Sequence, residues 1–356
     1  MRIVFDVTPL SHPRTGVGNY VRGSLAGLAQ AAAGKHDVVA WAPTSAAGAR
    51  LVAEALEGIP VERRIKRLPF AHAWRTLWSR AARPPAERFV GPFDVLHFSD
   101  WMYPPQRAGV RSTMIHDLVP LRFPEWTTPR TRSMHSAKYR NAARTCDLLF
   151  VNSEYTGRET VELLGVSPER IRVARPGVEP RFRPEGERAD LGRPYAVTVA
   201  TLEPRKNLET LLAAHQLDPH GLALAVVGGA GWGAQPDLHS DDVLALGFVG
   251  HDELPRYYRG ADVLVVPSRF EGFGMTVVEG MACGVPCVVS SHPSLDEACG
   301  DAAVRVDPED AEAIASGIGE ALARRDELRR LGLEHARSFT WRACGDAMLA
   351  AFEEAA

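Results

Sequence analysis

The 356-residue sequence has only five cysteines, little net charge and no long uninterrupted run of hydrophobic residues. Because a membrane-spanning helix needs about 20 mainly apolar residues, no segment is predicted to cross a bilayer. The cysteines are odd in number and lack the spacing of a metal site, so those at 283 and 287 are expected to fill the core. The first residues read as a buried strand and not as a secretory signal. These absences predict a reduced, cytoplasmic protein.

The net charge of −3 conceals an uneven distribution of charged residues. Residues 1–180 contain 25 basic and 16 acidic side chains, whereas residues 181–356 contain 16 basic and 28 acidic ones. Eight of the basic residues fall within 62–88, where two acidic residues occur. Any attraction to an anionic surface is therefore expected in the first half of the chain.

The basic segment 62–88 also carries Trp74, Leu77 and Trp78 at a spacing of three and four residues. A short helix would place these three on one face with arginines alongside. Such a face suits the surface of an anionic membrane, on the inner side of the cell. Alternatively, the tryptophans pack on their own domain and the arginines are solvated. The basic residues concerned include Arg63, Arg64, Lys66, Arg67, Arg75, Arg80 and Arg83.

Short apolar segments alternate with longer amphipathic ones, a pattern typical of doubly wound α/β domains. The length fits two domains, and a Pro-Gly turn at 176–177 is the best candidate for the crossing between them. Predicted strands are 2–7, 37–42, 94–98, 111–115, 147–151, 171–175, 195–200, 222–227, 243–247, 262–266, 286–290 and 302–306. Predicted helices are 18–32, 46–56, 131–144 and 155–164, with a helix-rich end from 310 onward.

Two glutamates, Glu271 and Glu279, lie in the segment 267–279, which reads PSRFEGFGMTVVE. The order predicts a strand, a glycine-rich turn and a short helix. The free N–H groups at the start of such a helix favour a phosphate, and carboxylates accept hydrogen bonds from sugar hydroxyls. Two arbitrary glutamates at this spacing are usually ordinary surface residues. Their sequence context instead suggests a site for a nucleotide sugar.

The segment from Ala261 to Ser290 resembles the signature of the retaining glycosyltransferases of family 4. The resemblance implies the GT-B fold, an α/β fold of two Rossmann-like, doubly wound domains facing across a cleft. It also implies that Glu271 contacts the hydroxyls of the donor sugar and Glu279 the ribose. The adjoining donor-binding residues would be Gly272, Phe273, Gly274, Met275 and Thr276.

The loop at 200–207, ATLEPRKN, follows the first predicted strand of the second half. Two adjacent cations past a strand end, Arg205 and Lys206, suit a diphosphate, although an isolated Arg-Lys pair is usually a surface pair. In the family this loop supplies an arginine and a lysine that neutralise the departing nucleoside diphosphate. The family's usual Gly-Arg at the loop start is replaced here by Ala200-Thr201, so the guanidinium role is assigned to Arg205.

Several glycines suggest a close approach of the backbone to the donor, although at Gly228 a tight turn alone would explain the glycine. Gly228 ends one predicted strand, and the segment holding Phe248 and Val249 resembles the family stretch that meets the nucleobase. Gly16 and Gly18 do not form a dinucleotide fingerprint, because the preceding strand ends too early and Val21 replaces the third small residue. They are interpreted as a turn that opens a helix towards the donor phosphates, or as a plain helix start.

The segment from His116 to Pro120, HDLVP, places a histidine and an aspartate at a predicted strand end. It resembles the variant found in many family members that act on mannose, rhamnose or similar sugars. By that resemblance His116 is an active-site hydrogen-bonding residue and not a metal ligand. Asp117 is expected to orient the histidine or to cap the next turn. Ser153 is interpreted as a helix N-cap near the site.

The resemblance extends over most of the chain and implies an acceptor-binding domain at 1–176, a donor-binding domain at 177–338 and a helix at 339–356 that returns to the first domain. We therefore predict a metal-independent retaining hexosyltransferase without a cofactor, catalytic through Glu271, His116, Arg205 and Lys206. GDP-mannose is the favoured donor over UDP- or dTDP-sugars, and the acceptor is a glycan, a lipid-linked sugar or a small molecule. No nucleic acid is expected as a partner. A nucleotide-sugar 2-epimerase and a non-catalytic nucleotide-sugar-binding protein are the alternatives.

Overall fold

The computed structural model describes residues 1–13, 15–81, 83–99, 102–231 and 236–356. The chain divides into two compact units. Residues 340–356 belong to the first unit, whereas residues 123–128, which the sequence analysis places in the first domain, belong to the second. Unit 1 comprises Met1–Arg122, Pro129–Gly177 and Thr340–Ala356, and unit 2 comprises Phe123–Thr128 and Val178–Phe339.

Unit 1 is built on a parallel sheet. Its strands are β1 (Arg2–Asp6), β2 (Asp37–Thr44), β3 (Glu62–Arg67), β4 (Val95–Phe98), β5 (Val110–Ile115), β6 (Leu148–Val151) and β7 (Ile171–Val173). Their spatial order, β3-β2-β1-β4-β5-β6-β7, places β1 inside the sheet and leaves β3 at one edge. Most residues of the inner strands are apolar because helices cover both faces of such a sheet, although β5 also buries Arg111, Ser112 and Thr113.

Unit 2 is built on a second parallel sheet. Its strands are β8 (Tyr195–Val199), β9 (Ala223–Val227), β10 (Val243–Gly247), β11 (Val263–Val266), β12 (Cys287–Ser290) and β13 (Val304–Val306). The order β10-β9-β8-β11-β12-β13 reverses direction at β8 and β11, so the loops that follow these two strands lie side by side. Ligands of open α/β sheets bind at such a reversal, outside the carboxyl ends of the strands.

Helices connect the strands in both units. In chain order they are α1 (Gly16–Ala32), α2 (Ala46–Ala55), α3 (Ala71–Ala81), α4 (Glu87–Val90), α5 (Val119–Arg122), α6 (Pro129–Thr145), α7 (Glu154–Leu164), α8 (Leu208–Leu217), α9 (Leu254–Gly260), α10 (Met275–Ala282), α11 (Pro293–Cys299), α12 (Ala311–Ala323), α13 (Arg325–Ala336) and α14 (Trp341–Ala355). Two parallel sheets with these crossover helices confirm the predicted α/β fold of two Rossmann-like units.

Helix α14 packs on α1 within unit 1 at very short range. A Cβ atom on Gly27 would lie 1.7 Å from the carbonyl oxygen of Trp341, and one on Gly345 would lie 2.1 Å from the carbonyl carbon of Gly27. Glycine at both positions therefore permits the contact. The apolar face of α14 completes the core of unit 1 with Cys344, Met348, Leu349 and Phe352, all at most 5% exposed.

The segment 62–88 differs from its predicted form. Residues 62–67 are an edge strand, β3, and the helix α3 turns Trp74 and Trp78 inward, where they pack on each other with ring centroids 4.8 Å apart. Leu77 is 67% exposed, so the tryptophans pack on their own domain, as the alternative interpretation predicts, while the leucine lies at the surface. The two tryptophans face the core because Trp41 and Phe89 supply aromatic partners that the local spacing does not reveal.

The described helices can be compared with the length and hydropathy of a membrane-spanning helix. None of them combines the length and hydropathy that crossing a bilayer requires. The five cysteines are buried free thiols, as expected for Cys283 and Cys287 at the turn between α10 and β12.

Candidate active site

The carboxylate of Glu271 lies just beyond the carboxyl end of β11, in a dense set of hydrogen bonds. Its Oε1 atom accepts from Lys206 Nζ at 2.6 Å and from the Ser268 hydroxyl at 2.8 Å. Its Oε2 atom accepts from Arg205 Nη1 at 3.1 Å. Strands β8 and β11 are neighbours in the sheet, which is why the loop carrying the cations meets the loop carrying the glutamate. The structure thus brings together three of the predicted catalytic residues.

Charge within this set is balanced although the groups are buried. Burial alone would raise the pKa of Glu271, but Lys206 and Arg205 more than offset it and lower that pKa to about 2. Burial and the neighbouring Arg205 lower the pKa of Lys206, and Glu271 opposes this shift. A second carboxylate, Glu203, accepts from Arg205 Nη2 at 2.7 Å. Two carboxylates and two cations therefore hold one another in place.

The cations are carried by a short turn whose shape depends on Asn207. A 3₁₀ turn (Pro204–Lys206) ends at Asn207, which has a left-handed backbone with φ of 57°. The Asn207 amide donates to the carbonyl of Pro267 at 3.0 Å and to that of Pro308 at 2.6 Å. Its Oδ1 accepts from the Thr210 hydroxyl at 2.7 Å. These bonds fix the cationic loop to the loops that follow β11 and β13.

The glycine-rich turn after Glu271 leads directly into α10. Gly274 has φ of 102° and precedes the helix, and a Cβ atom there would lie 2.5 Å from Leu295 Cδ2. The hydroxyl of Ser294 donates to the carbonyl of Glu271 at 2.6 Å and anchors the turn from the α11 side. The predicted donor-binding residues Gly272, Phe273 and Gly274 are buried, and Met275 and Thr276 in the first turn of α10 are half-buried. The N-terminal end of α10, where the helix dipole is positive, is suited to an anion.

Glu279 lies on the second turn of α10 and has a different set of neighbours. Burial raises the pKa of its carboxyl to about 8. The Tyr258 hydroxyl, which donates to Glu279 Oε2 at 3.3 Å, lowers that pKa, and the negative charge of Glu179 raises it. The carboxyl of Glu279 is therefore largely protonated near neutral pH, unlike that of Glu271.

The loops after β8, β9 and β10 meet through backbone contacts. A Cβ atom on Gly228 would lie 1.8 Å from the carbonyl oxygen of Ala200, and Gly228 itself has φ of 155°. Its N–H donates to the carbonyl of Gly247 at 2.8 Å. Phe248, which follows Gly247, is 65% exposed, and the next residue, Val249, is half-buried. An exposed aromatic ring beside bare backbone suits a planar base.

His116 lies in unit 1, directly after β5. Burial lowers the pKa of its imidazole to about 3, and the positive charge of Lys138 adds to this effect, so the ring is neutral at working pH. Among the described residues, its Nε2 atom is buried and has no hydrogen-bond partner. Its carbonyl accepts from the Asn152 amide at 2.8 Å, and its ring meets that of Tyr20 edge-on at 5.0 Å. A neutral imidazole suits a hydrogen bond to a hydroxyl more than the neutralisation of a phosphate.

The remaining predicted residues of unit 1 lie at helix starts. Helix α1 begins at Gly16, two residues earlier than predicted, and a Cβ atom on Gly16 would meet no described atom within 4 Å. Gly18 is buried in its first turn. Asp117 accepts from the Val119 N–H at 3.1 Å and so caps the next turn. Ser153 caps α7 by accepting from the N–H of residue 156.

Sequence reasoning missed residues that complete the site. The segment 203–207 indicates a site through its cations, Arg205 and Lys206, whereas its two outer residues, Glu203 and Asn207, make the contacts that hold the cations. The missed residues are Glu203, Asn207, Tyr258 and Ser268.

Within the described ranges, no group of three histidine, cysteine or acidic side chains is arranged to hold a metal ion.

Two parallel α/β units, one with a carboxylate and two cations at its strand ends, are the arrangement expected of the GT-B fold. Residues 14–182 match the family described as "Glycosyltransferase Family 4", and residues 181–337 match "Glycosyl transferases group 1". The chain is 30% identical to the Escherichia coli O-antigen chain mannosyltransferase B over 70% of its own length and 72% of that protein. The chain belongs to glycosyltransferase family 4.

Further similarities extend over the whole chain. A D-inositol 3-phosphate glycosyltransferase from Thermomonospora curvata is 28% identical over 98% of this chain and 93% of that protein. Among solved structures, Anabaena HepE in complex with UDP-glucose matches with a TM-score of 0.73 and 17% identity, covering 99% of this chain and 100% of that one. Sucrose-phosphate synthase from Thermosynechococcus elongatus matches with a TM-score of 0.72 and 21% identity, covering 99% and 98%. At these identities the two structures support the fold.

Proposed function

We propose that this glycosyltransferase is a metal-independent, retaining hexosyltransferase that moves mannose from GDP-mannose to a hydroxyl of a glycan, lipid-linked or small-molecule acceptor. The observation that carries the proposal is the ionised carboxylate of Glu271, held between Lys206 and Arg205 at the reversal point of the second sheet. A carboxylate kept ionised can accept hydrogen bonds from two sugar hydroxyls, and the cations beside it can bind a diphosphate.

The positively charged groups of the site act on the departing diphosphate. As the bond between the anomeric carbon and the phosphate breaks, negative charge grows on the departing diphosphate. Arg205, Lys206 and the N–H groups at the start of α10 stabilise this charge, which replaces the need for a metal ion. Loss of one such contact raises the barrier by about 2.7–4 kcal/mol, by analogy with donors of an oxyanion hole.

Retention follows when the acceptor hydroxyl attacks on the face from which the diphosphate departs. The departing phosphate then takes the proton of the acceptor, and the new bond has the configuration of the old one. The neutral imidazole of His116 would donate or accept a hydrogen bond at the sugar. Glu279 and the exposed ring of Phe248 would receive the ribose and the base.

Mannose as the transferred sugar rests on three observations. The segment from His116 to Pro120 reads HDLVP, the variant that resembles family members acting on mannose and similar sugars. The 30% identical Escherichia coli relative is named a mannosyltransferase. The turn Glu203–Asn207 reads Glu-Pro-Arg-Lys-Asn, a variant of the family motif that also favours GDP-mannose as the donor.

The test combines binding with product analysis. Thermal unfolding is measured with GDP, UDP, dTDP and ADP, each with EDTA and with magnesium; at about 100 times the dissociation constant, a ligand stabilises by about 2.7 kcal/mol. We expect a shift with GDP that EDTA leaves unchanged. The purified protein is then incubated with GDP-mannose and a panel of sugar and lipid-linked acceptors, and the anomeric configuration of the product is read by NMR. A shift with another nucleotide alone refutes GDP-mannose, and conversion of the donor sugar to its epimer without acceptor refutes transfer.

We also infer that unit 1 contacts an anionic membrane through a surface formed by Phe70, Leu77 and the exposed basic residues of 62–88, from which the buried Arg75 is excluded. Phe70 directly precedes α3, has a left-handed backbone with φ of 49° and is 89% exposed, and Leu77 within α3 is 67% exposed. The ring of Trp78 is buried and that of Trp74 is partly buried, which leaves Phe70 and Leu77 as the exposed large apolar side chains in the described part of 62–88. The surrounding excess of arginine complements anionic headgroups.

The membrane contact is tested by sedimentation with vesicles of phosphatidylcholine alone and with phosphatidylglycerol added. We expect binding to the anionic vesicles, weakened by salt, and loss of binding in the double variant Phe70→Ser, Leu77→Ser. Leu217→Ser is the matched control, since Leu217 is 59% exposed in unit 2 and should not affect binding. Equal binding to neutral vesicles, or unchanged binding by the double variant, would refute the assignment.

A further inference from the structure

Arg205 lies between two carboxylates, and the one that the proposed function does not use is Glu203. The Glu203 side chain is 2% exposed, and its Oε1 atom lies 2.7 Å from Arg205 Nη2. The other end of the guanidinium, Nη1, is 3.1 Å from Glu271 Oε2 and 3.2 Å from the carbonyl of Phe270. Two different nitrogen atoms of the same planar group therefore bind two different carboxylates.

The backbone of the turn keeps Glu203 next to Arg205. Glu203 is extended, with φ of −139° and ψ of 151°, as favoured for a residue that precedes a proline. Its carbonyl accepts from the Lys206 N–H at 2.9 Å, which closes the 3₁₀ turn. The turn is attached to the Glu271 loop from the other side, because the Arg269 N–H donates to the Arg205 carbonyl at 2.8 Å. The separation between Glu203 and Glu271 is therefore set by backbone contacts.

We propose that Glu203 is a positioning residue for transfer, which holds Arg205 by its Nη2 edge and so prevents a bidentate pair between Arg205 and Glu271. A guanidinium beside a single carboxylate tends to bind both of its oxygen atoms. Such a pair would occupy the Glu271 oxygen atoms intended for sugar hydroxyls and the guanidinium edge intended for the diphosphate. With Glu203 in place, Arg205 donates to one oxygen atom of Glu271 and not to both. This inference rests on the proposed function, because it assigns Arg205 to the departing diphosphate.

The charge of Glu203, and not its size, should carry the effect. Glu203→Gln keeps the shape and an acceptor oxygen but removes the negative charge that competes for Arg205. Because the diphosphate charge develops in the transition state, we expect kcat to fall on the order of 100-fold with a smaller change in the KM for the donor. Glu203→Asp keeps the charge on a shorter side chain and should recover part of kcat.

The decisive measurement is a double-mutant cycle with Arg205→Gln. If Glu203 acts through Arg205, the double variant should lose no more kcat/KM than Arg205→Gln alone, whereas independent roles would multiply the two losses. Glu309→Gln is the matched control, because Glu309 accepts from Arg269 at 2.6 Å in the same group of loops but is largely exposed. We expect Glu309→Gln to be as active as the wild type and to leave the loss caused by Arg205→Gln unchanged.

Each outcome is informative about one proposal. Multiplied losses, or a folded Glu203→Gln protein with the kcat of the wild type, would overturn the role of Glu203 and leave the proposed function intact. A wild-type protein that transfers no sugar from any nucleoside diphosphate sugar would overturn the proposed function itself. If Glu203→Gln does not fold, the cycle is carried out with Glu203→Asp; coupling to Arg205→Gln supports the role, and its absence refutes it.

Discussion

Replacing Lys206 by methionine should reduce both the stability and the activity of the protein. The Lys206 ammonium lies 2.6 Å from Glu271, and the two side chains are 13% and 9% exposed. Together with Arg205, it holds the pKa of the Glu271 carboxyl at about 2 instead of 4.5, despite burial. Because one pKa unit corresponds to about 1.4 kcal/mol, the surroundings favour the ionised carboxylate by about 3 kcal/mol. Lys206→Met removes the nearer cation and leaves that carboxylate buried with Arg205.

The cost to stability should depend on pH in a defined direction. Glu271 has a lowered pKa in the folded state, so its stabilising contribution is present above pH 4.5 and is lost as the pH falls towards 2. We expect the variant to lose about 3 kcal/mol of unfolding free energy at pH 7, near the cost of breaking a buried pair, and the difference from wild type to narrow below pH 4.5. Urea unfolding at pH 7 and pH 4 measures both quantities.

The cost to activity is measured on the same preparation. Loss of one contact to the departing diphosphate should lower kcat by about 100- to 1,000-fold while the folded fraction stays high at low temperature. Arg324→Met is a suitable control, since Arg324 forms ion pairs with Glu320 and Glu327 on the surface of unit 2 and should leave both properties at wild-type level. A fully active Lys206→Met protein, or one with an unchanged urea midpoint at pH 7, would contradict the reasoning.

Three further predictions concern the supporting residues. Glu279→Gln should remove a pH dependence of the unfolding free energy. Because the pKa of Glu279 is raised to about 8 in the folded protein, the unfolding free energy of the wild type should fall as the pH rises from 4.5 to 8. Urea titrations of the variant should lack this slope. Asn207→Gly keeps the left-handed backbone but loses the amide bonds to two carbonyls and should cost about 1–3 kcal/mol, whereas Asn207→Asp, which turns a carboxylate oxygen towards those carbonyls, should lower the urea midpoint further. Gly228→Ala would place a methyl group 1.8 Å from the Ala200 carbonyl and should abolish the thermal shift caused by a nucleoside diphosphate. A midpoint for Asn207→Asp above that of Asn207→Gly, or a full shift with Gly228→Ala, would be the contrary result.

Local sequence predicted those features that depend on neighbouring residues. The segment 261–290 has apolar residues for a strand, glycines at the turn and a helical spacing after them, and β11, α10 and β12 follow in that order. The pairing of Arg205 and Lys206 with Glu271 also follows from the alternation of strands, because strand ends gather at one sheet edge. Here the sequence pattern and the fold are consistent at every level.

Features that depend on distant residues could not be predicted in the same way. The inward direction of Trp74 is set by Phe89, and that of Trp78 by Trp41, neither of which the helical spacing specifies. The role of Asn207 depends on the carbonyl of Pro308, 101 residues further along the chain. Local patterns contain no information about such contacts.

The return of α14 to unit 1 affects how the protein is made. During synthesis the residues of unit 2 are complete before α14 emerges, whereas unit 1 lacks the side chains of Met348 and Phe352 until then. Unit 2 can therefore fold first, whereas unit 1 cannot complete its core, and the apolar side of α1 stays exposed until α14 has been synthesised. Partial chains that end before residue 340 should attract chaperones through that uncovered helix, and those that include α14 should not.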